Sequence, residues 1–141
     1  MRYRYERHLH HHETDGDGVC HFSNYLRLFE ESMTSLLREL ALPLEVMDAT
    51  LAVTSVRAAY LHPLRHGDVL SVLTGVTAVR RTYADLTADI QSGATLCCRV
   101  DARVCAVTRG EGLATSLAEP LRAGLARHLI DTGEPRHDTV L

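Results

Sequence analysis

At 141 residues and 45% hydrophobic content, the chain can bury one sizeable core but is too short for two ordinary domains, so a single domain over residues 1–141 is expected. A formal charge of -3 gives no broad electrostatic attraction for nucleic acid or an anionic membrane, either of which would want a basic face. All 15 cationic side chains are arginine, which excludes lysine Schiff-base chemistry and leaves Arg, His and backbone N–H groups to hold any phosphate.

The opening residues, Met1 to His12, are polar and charged, unlike a signal peptide, and no run of about 18 apolar residues follows that would cross a bilayer. Cys20, Cys97, Cys98 and Cys105 form neither C-x-x-C pairs nor a disulfide framework. A cytoplasmic protein with reduced thiols is expected. Residues 2 to 9 alternate with period two, which predicts a first strand with a polar edge. A loop follows at Glu13-Thr14-Asp15-Gly16-Asp17-Gly18, its glycines permitting angles other residues resist.

Phe22, Tyr25, Leu26, Phe29, Met33, Leu36, Leu37 and Leu40 then recur at three- and four-residue intervals, predicting one long helix with a broad apolar stripe, ended by Pro43. Strands are predicted at 51 to 61, 68 to 79, 83 to 91 and 94 to 107. The last is the clearest: Leu96, Cys98, Val100, Ala102, Val104 and Ala106 alternate with polar or charged neighbours. Turns fall at His66-Gly67-Asp68, Arg80-Arg81-Thr82 and Ser92-Gly93. Ser116 to Pro120 predicts a helix start, continued by Leu121, Leu125 and Leu129, and the tail from about 131 to 141 is expected to be disordered.

That order of elements, with the run from Glu13 through Asp15, Gly18, Asn24, Tyr25 and Phe29 to Glu30, resembles the 4-hydroxybenzoyl-CoA thioesterase branch of the hotdog superfamily. The family pattern is roughly D-x-D-x-x-G followed by N-Y, an aromatic and an acid; Glu13 replaces the first aspartate. His62-Pro63-Leu64-Arg65-His66-Gly67-Asp68 and Arg80-Arg81-Thr82-Tyr83 agree as well, so the resemblance covers about residues 2 to 108. Enediyne-type polyketide thioesterases are similar, but typically carry Asn where Asp15 stands. The resemblance implies an α+β hotdog fold, a long central helix wrapped by an antiparallel sheet of about five strands. It also implies hydrolysis of an acyl thioester on coenzyme A or an acyl carrier protein, use in polyketide or aromatic secondary metabolism, and a homodimer or homotetramer. No cofactor or metal is implied.

Thioester hydrolysis needs a nucleophile, or a base to activate water, and donors for the oxygen that becomes negative. The family places its catalytic carboxylate at the position of Asp15. A charge that merely orders the loop is the competing reading, and Asp17 is a rival carboxylate. The helix start offers the free N–H of Phe22 or Ser23 as an oxyanion site, while Gly18 lets the loop approach the ligand. Asn24, Tyr25 and Arg65 complete the expected substrate-binding set with Arg80 and Arg81. In the family this last hairpin holds the nucleotide phosphates of coenzyme A, a task that suits paired guanidinium groups.

Four other readings rank lower. Glu13 to Asn24 imitates a calcium-binding EF-hand loop, but position 1 is not Asp, position 12 is not Glu, and a strand pattern precedes it. His8, His10 and His12 would share one side of an extended strand, yet the cluster lacks an acidic or thiolate completion for a metal, so solvated histidines are the expectation. Cys20 beside His21 is expected to be a buried structural thiol, and Glu30 and Glu31 structural or exposed. The alternatives to a thioesterase are a non-catalytic acyl-thioester binding module and a hotdog dehydratase using His21.

Overall fold

The computed structural model describes residues 1–40 and 49–131. Within them the chain runs from strand β1 (Tyr3–His8) through a short 3-10 turn at His11–Glu13 into helix α1 (Ser23–Glu39). Strands β2 (Ala49–Tyr60), β3 (Val69–Val79), β4 (Tyr83–Ser92) and β5 (Thr95–Thr108) follow, then helix α2 (Glu119–Ala126). The strands form one antiparallel sheet in the order β1-β3-β4-β5-β2. β1 and β2 are therefore its edges.

Period-two patterning decides which face is buried. Cys98, Val100, Ala102, Val104 and Ala106 of β5 and Ala84, Leu86, Ala88 and Ile90 of β4 turn inward and are buried. The opposite face carries cross-strand pairs of Arg99 with Asp89 and Arg103 with Asp85, and the Arg103 guanidinium stacks 4.0 Å above the Tyr83 ring. Cys97 departs from the alternation: it lies on the charged face by parity yet is only 1% exposed, and its carbonyl accepts hydrogen bonds from the Leu61 and His62 N–H groups.

α1 lies against the buried face and contacts β1, β3, β4 and β5. Its inward stripe is Tyr25, Leu28, Phe29, Ser32, Leu36 and Leu37. Leu28 and Leu36 are fully buried, and each removes enough apolar surface from water to contribute roughly 2 kcal/mol. Ser32, also fully buried, shares a 3.1 Å hydrogen bond with Thr74 of β3, which satisfies both hydroxyls inside an otherwise apolar layer.

The stripe is rotated from the one expected. Phe22 is 64% exposed and Leu26 37% exposed, while Leu28 and Ser32 take inward positions. Phe22 caps the helix from outside and Leu26 stands one turn further on the same outer flank. The helix itself ends at Glu39, where the Leu40 N–H closes onto the Leu36 carbonyl, and Pro43 lies outside the described residues.

Leu129 is likewise not part of the second helix. α2 stops at Ala126, and residues 128 to 130 run beside β3 past the end of β1: the Val76 N–H donates to the His128 carbonyl and the Ile130 N–H to the Val76 carbonyl, each at 2.9 Å. Ile130 packs over Gly75, where a Cβ would sit only 2.8 Å from its side chain. Of the tail expected to be disordered, residues 132–141 fall outside the described part of the chain.

Candidate active site

Residues 14 to 22 fold as a narrow hairpin-like loop between β1 and α1. Thr14 bridges to Cys20, and the Asp15 N–H donates to the Val19 carbonyl at 2.8 Å. Gly18 turns the tip at φ +78°, a left-handed conformation that disfavours side chains, and its carbonyl accepts the His66 N–H. Val19 bridges to Arg65 and the Cys20 N–H donates to the Leu64 carbonyl, so the 62–68 turn is stitched along the outer side of the loop.

Asp15 is exposed at this loop. Its Oδ1 accepts from the Asp17 N–H at 2.8 Å and more distantly from the Val19 N–H at 3.4 Å. Among the described residues its Oδ2 accepts no hydrogen bond, so one oxygen orders the loop and the other stays available. The loop-ordering reading and a chemical one therefore coexist on the same carboxylate. Asp17 contributes its backbone to Asp15.

Across the loop stands the entrance to α1. The Ser23 N–H is directed at His21 Nδ1 (3.3 Å), which also pairs with the Ser23 hydroxyl at 2.7 Å. The Phe22 N–H has no acceptor among the described residues, which makes it, and not Ser23, the free donor at the positive end of the helix. Asn24 turns its side chain inward to the loop base: its Nδ2 donates to the Glu13 carbonyl at 2.9 Å. Tyr25 is buried, and its hydroxyl accepts the Leu64 N–H at 3.2 Å. Burial pushes that phenol up to about 12.

The base of the loop rests on Glu13, which has no catalytic or binding role in the expected site. Glu13 is 4% exposed, and Arg7 of β1 grips its carboxylate with two bonds of 2.7 and 2.6 Å. The His10 N–H donates to the same carboxylate at 2.8 Å. Hydrogen bonding to Arg7, opposed by burial and aided by the His10 N–H, holds the Glu13 carboxyl down to about 2. Arg7 also bonds Glu31 of α1, which accepts in addition from the Tyr5 hydroxyl. The signal was present in the strand alternation, which puts Arg7 on the helix-facing side with Tyr3 and Tyr5.

Tyr60, at the end of β2, was also missed. Its ring packs edge-on against Phe22 at 6.4 Å and Tyr25 at 5.4 Å, while His21 stacks on Phe22 at 4.6 Å. Nothing in the β2 pattern distinguishes it from any strand-end tyrosine. Cys20 is buried, with its thiol raised to about 11 chiefly by burial, so it stays protonated at neutral pH as a structural thiol does.

The expected residues thus divide. Asp15, Gly18, Phe22, Ser23, Asn24, Tyr25 and Arg65 meet around one loop. Arg80 and Arg81 do not join them: β1 and the 62–68 turn meet β3 at Val69, whereas the arginines lie beyond Val79 at its other end. There both are exposed, and Arg81 donates to the Ser116 hydroxyl at 3.0 Å. The histidines do not share a strand face either, because β1 ends at His8 and the 3-10 turn begins at His11. The His10 and His12 rings sit 5.3 Å apart, and among the described residues no three His, Cys, Asp or Glu side chains are placed to hold a metal. No helix among them is long and apolar enough to cross a membrane.

Comparison with known proteins gives the family and the shared fold. A curated Aquifex aeolicus (strain VF5) protein, provisionally named as an esterase, is 39% identical over 75 residues, 51% of this chain. The matched stretch spans 59% of that relative. A solved 1,4-dihydroxy-2-naphthoyl-CoA thioesterase from Synechocystis superposes with TM-score 0.82 over 96% of this chain and 100% of its own, at 23% identity. A Staphylococcus aureus protein solved in complex with CoA superposes with TM-score 0.86 over 96% and 90% of the two chains, at 15% identity. These two likenesses show a shared fold. The model of the thioesterase-like superfamily matches residues 9–125, from the end of β1 through most of α2, and the chain belongs to that superfamily.

Proposed function

We propose that the protein hydrolyses an acyl-CoA thioester to the free acid and coenzyme A. One observation carries the reading: a carboxylate with an uncommitted oxygen, Asp15, and an N–H at a helix entrance with no acceptor among the described residues, Phe22, belong to the two arms of one hydrogen-bonded loop. The full hotdog arrangement, with the sheet wrapped around α1, is part of the same reading. It accords with the superfamily match, and the CoA-bound Staphylococcus neighbour favours coenzyme A over a carrier protein as the thiol donor.

Two routes use these parts. As base, Asp15 takes a proton from water; hydroxide adds to the carbonyl carbon, the oxyanion is held by the Phe22 N–H, and collapse breaks the C–S bond, the proton passing to the departing thiolate. As nucleophile, the Asp15 oxygen bonds the carbonyl carbon and expels the thiolate, and water then cleaves the mixed anhydride. The dehydratase alternative is weaker, since the ring of His21 pairs with Ser23 and Glu31 is committed to Arg7 and Tyr5. The binding-module alternative is separated by turnover. Polyketide or aromatic secondary metabolism is the setting the resemblance favours, and the naphthoyl-CoA enzyme among the structural neighbours accords with an aromatic acyl group.

We also propose a homodimer that pairs further into a tetramer. β2 is an edge strand of 12 residues, Val53, Val56 and Tyr60 stand exposed along it with Leu61 just past its end, and the Tyr60 ring packs against Phe22. A free edge beside an apolar patch is a surface that proteins cover. The test of activity is thiol release from a panel of acyl-CoAs and acyl-carrier proteins. Asp15→Asn is expected to lower kcat by about 10²–10⁴ with little change in KM, and Asp17→Asn far less. A folded Asp15→Asn protein with near-normal kcat refutes the assignment.

A further inference from the structure

We infer that Glu13 is the positioning residue of this site, a buried anchor that sets Asp15 and the Phe22 N–H in register with each other. The inference rests on the hydrolase reading above.

Two elements of the fold fix Glu13. Its carboxylate is held by a two-pronged Arg7 fork from β1 and by the His10 N–H from the 3-10 turn, three bonds that leave the side chain a single orientation. Arg7 also pairs with Glu31 of α1, a contact separate from the fork on Glu13. A side chain so held fixes its own peptide, and the Glu13 carbonyl is where the two arms of the loop meet. It accepts the His21 N–H at 3.0 Å and the Asn24 amide at 2.9 Å. Asp15 lies two residues downstream on one arm, and Phe22 sits between the two donors on the other.

One carbonyl thus ties the residue before Phe22 and the residue two beyond it to the root of the strand carrying Asp15. Loss of the carboxylate grip frees that carbonyl to shift, and with it the distance between the attacking group and the oxyanion donor. Misplacements of about 1 Å cost on the order of 10²-fold in rate, because reaction requires atoms already near attack geometry. The effect is expected on kcat, since Glu13 is 4% exposed and acts through the geometry of the loop above it.

Glu31 supplies the control. It is the other carboxylate on Arg7, so Glu31→Gln removes the same kind of ion pair from the same guanidinium, but it has no bond to the loop. Thiol release is measured per folded molecule, with folding followed by circular dichroism. Glu13→Gln is expected to lower kcat by about 10- to 100-fold with KM within threefold, Glu13→Asp to recover most of the loss, and Glu31→Gln to leave kcat within twofold. Equal losses in Glu13→Gln and Glu31→Gln, or no recovery with Asp, would show a merely structural ion pair and overturn the inference. If Glu13→Gln does not fold, Arg7→Lys replaces the fork by a point charge; an intermediate loss of kcat supports the inference and an unchanged kcat overturns it. A wild-type protein that releases no thiol from any acyl-CoA overturns the hydrolase reading and this inference together. Wild-type turnover matched by Glu13→Gln overturns the inference alone.

Discussion

The Arg7–Glu13 pair makes a prediction about acid stability that needs no substrate. The Glu13 carboxyl is held at about 2 against an ordinary value of 4.5, chiefly by hydrogen bonding to Arg7. A carboxyl whose folded value is depressed stabilises the fold above its unfolded value, and that stabilisation disappears as pH falls from about 4.5 towards 2. Each unit corresponds to about 1.4 kcal/mol, so the ionised pair contributes roughly 3 kcal/mol at neutral pH, of which about 2 are lost by pH 3. Against a total of about 5–15 kcal/mol for a domain, this is a large share. Urea unfolding at pH 7 and pH 3, at one protein concentration, measures it. Wild type is expected to exceed Glu13→Gln by roughly 3 kcal/mol at pH 7, and the gap to shrink by about 2 kcal/mol at pH 3. A gap that is the same at both pH values refutes the reasoning, because the glutamine variant isolates this one titration from the other carboxylates.

The Arg80→Ala, Arg81→Ala double variant is expected to raise KM for acyl-CoA several-fold with little loss of kcat, since phosphate contacts far from the carbonyl bind ground and transition states alike. Steady-state kinetics at moderate salt test this, and an unchanged KM makes the hairpin an ordinary solvated turn. Light scattering at micromolar concentration is expected to give a dimer or tetramer for the wild type and a smaller species for Val56→Asp, which sets a charge in the exposed patch on the free β2 edge.

Most of the fold was legible because its signals are local and periodic. The β5 pattern from Cys98 to Ala106 reports burial on one face directly, and Pro120 marks the start of α2 within a residue. The errors occurred where apolar character and burial part company. Phe22 and Leu26 fit a helical stripe by spacing, but helical periodicity does not tell a core-facing flank from one left exposed on a single chain. Leu129 kept the helical spacing of Leu121 and Leu125, yet a free stretch of β3 beyond β1 offered hydrogen-bond partners to the backbone of His128 and Ile130 on either side of it, and no local pattern announces that edge. The candidate site divides in the same way. Asp15 and Gly18 were named through a short motif, whereas the Arg7 grip on Glu13 joins strand to turn through side chains whose polarity reads as exposure.

The separation of the arginine hairpin from Asp15 bears on how many chains make one site. β3 spans 11 residues between them, roughly 35 Å of strand. A pantetheine arm has about the backbone length of four extended residues, roughly 14 Å. A thioester placed at Asp15 therefore sets its pyrophosphate well short of its own chain's Arg80 and Arg81. Either the hairpin takes no part in binding, or it serves a thioester held by another copy. The second option fits the exposed row from Val53 to Leu61 on the β2 edge, whose far end brings Tyr60 against Phe22. A partner seated on that edge would meet the Tyr60 and Phe22 rings at the helix entrance. On the proposed reading, a site closed by a second subunit on this edge would account for both the exposed apolar row and the distance from Asp15 to the arginines.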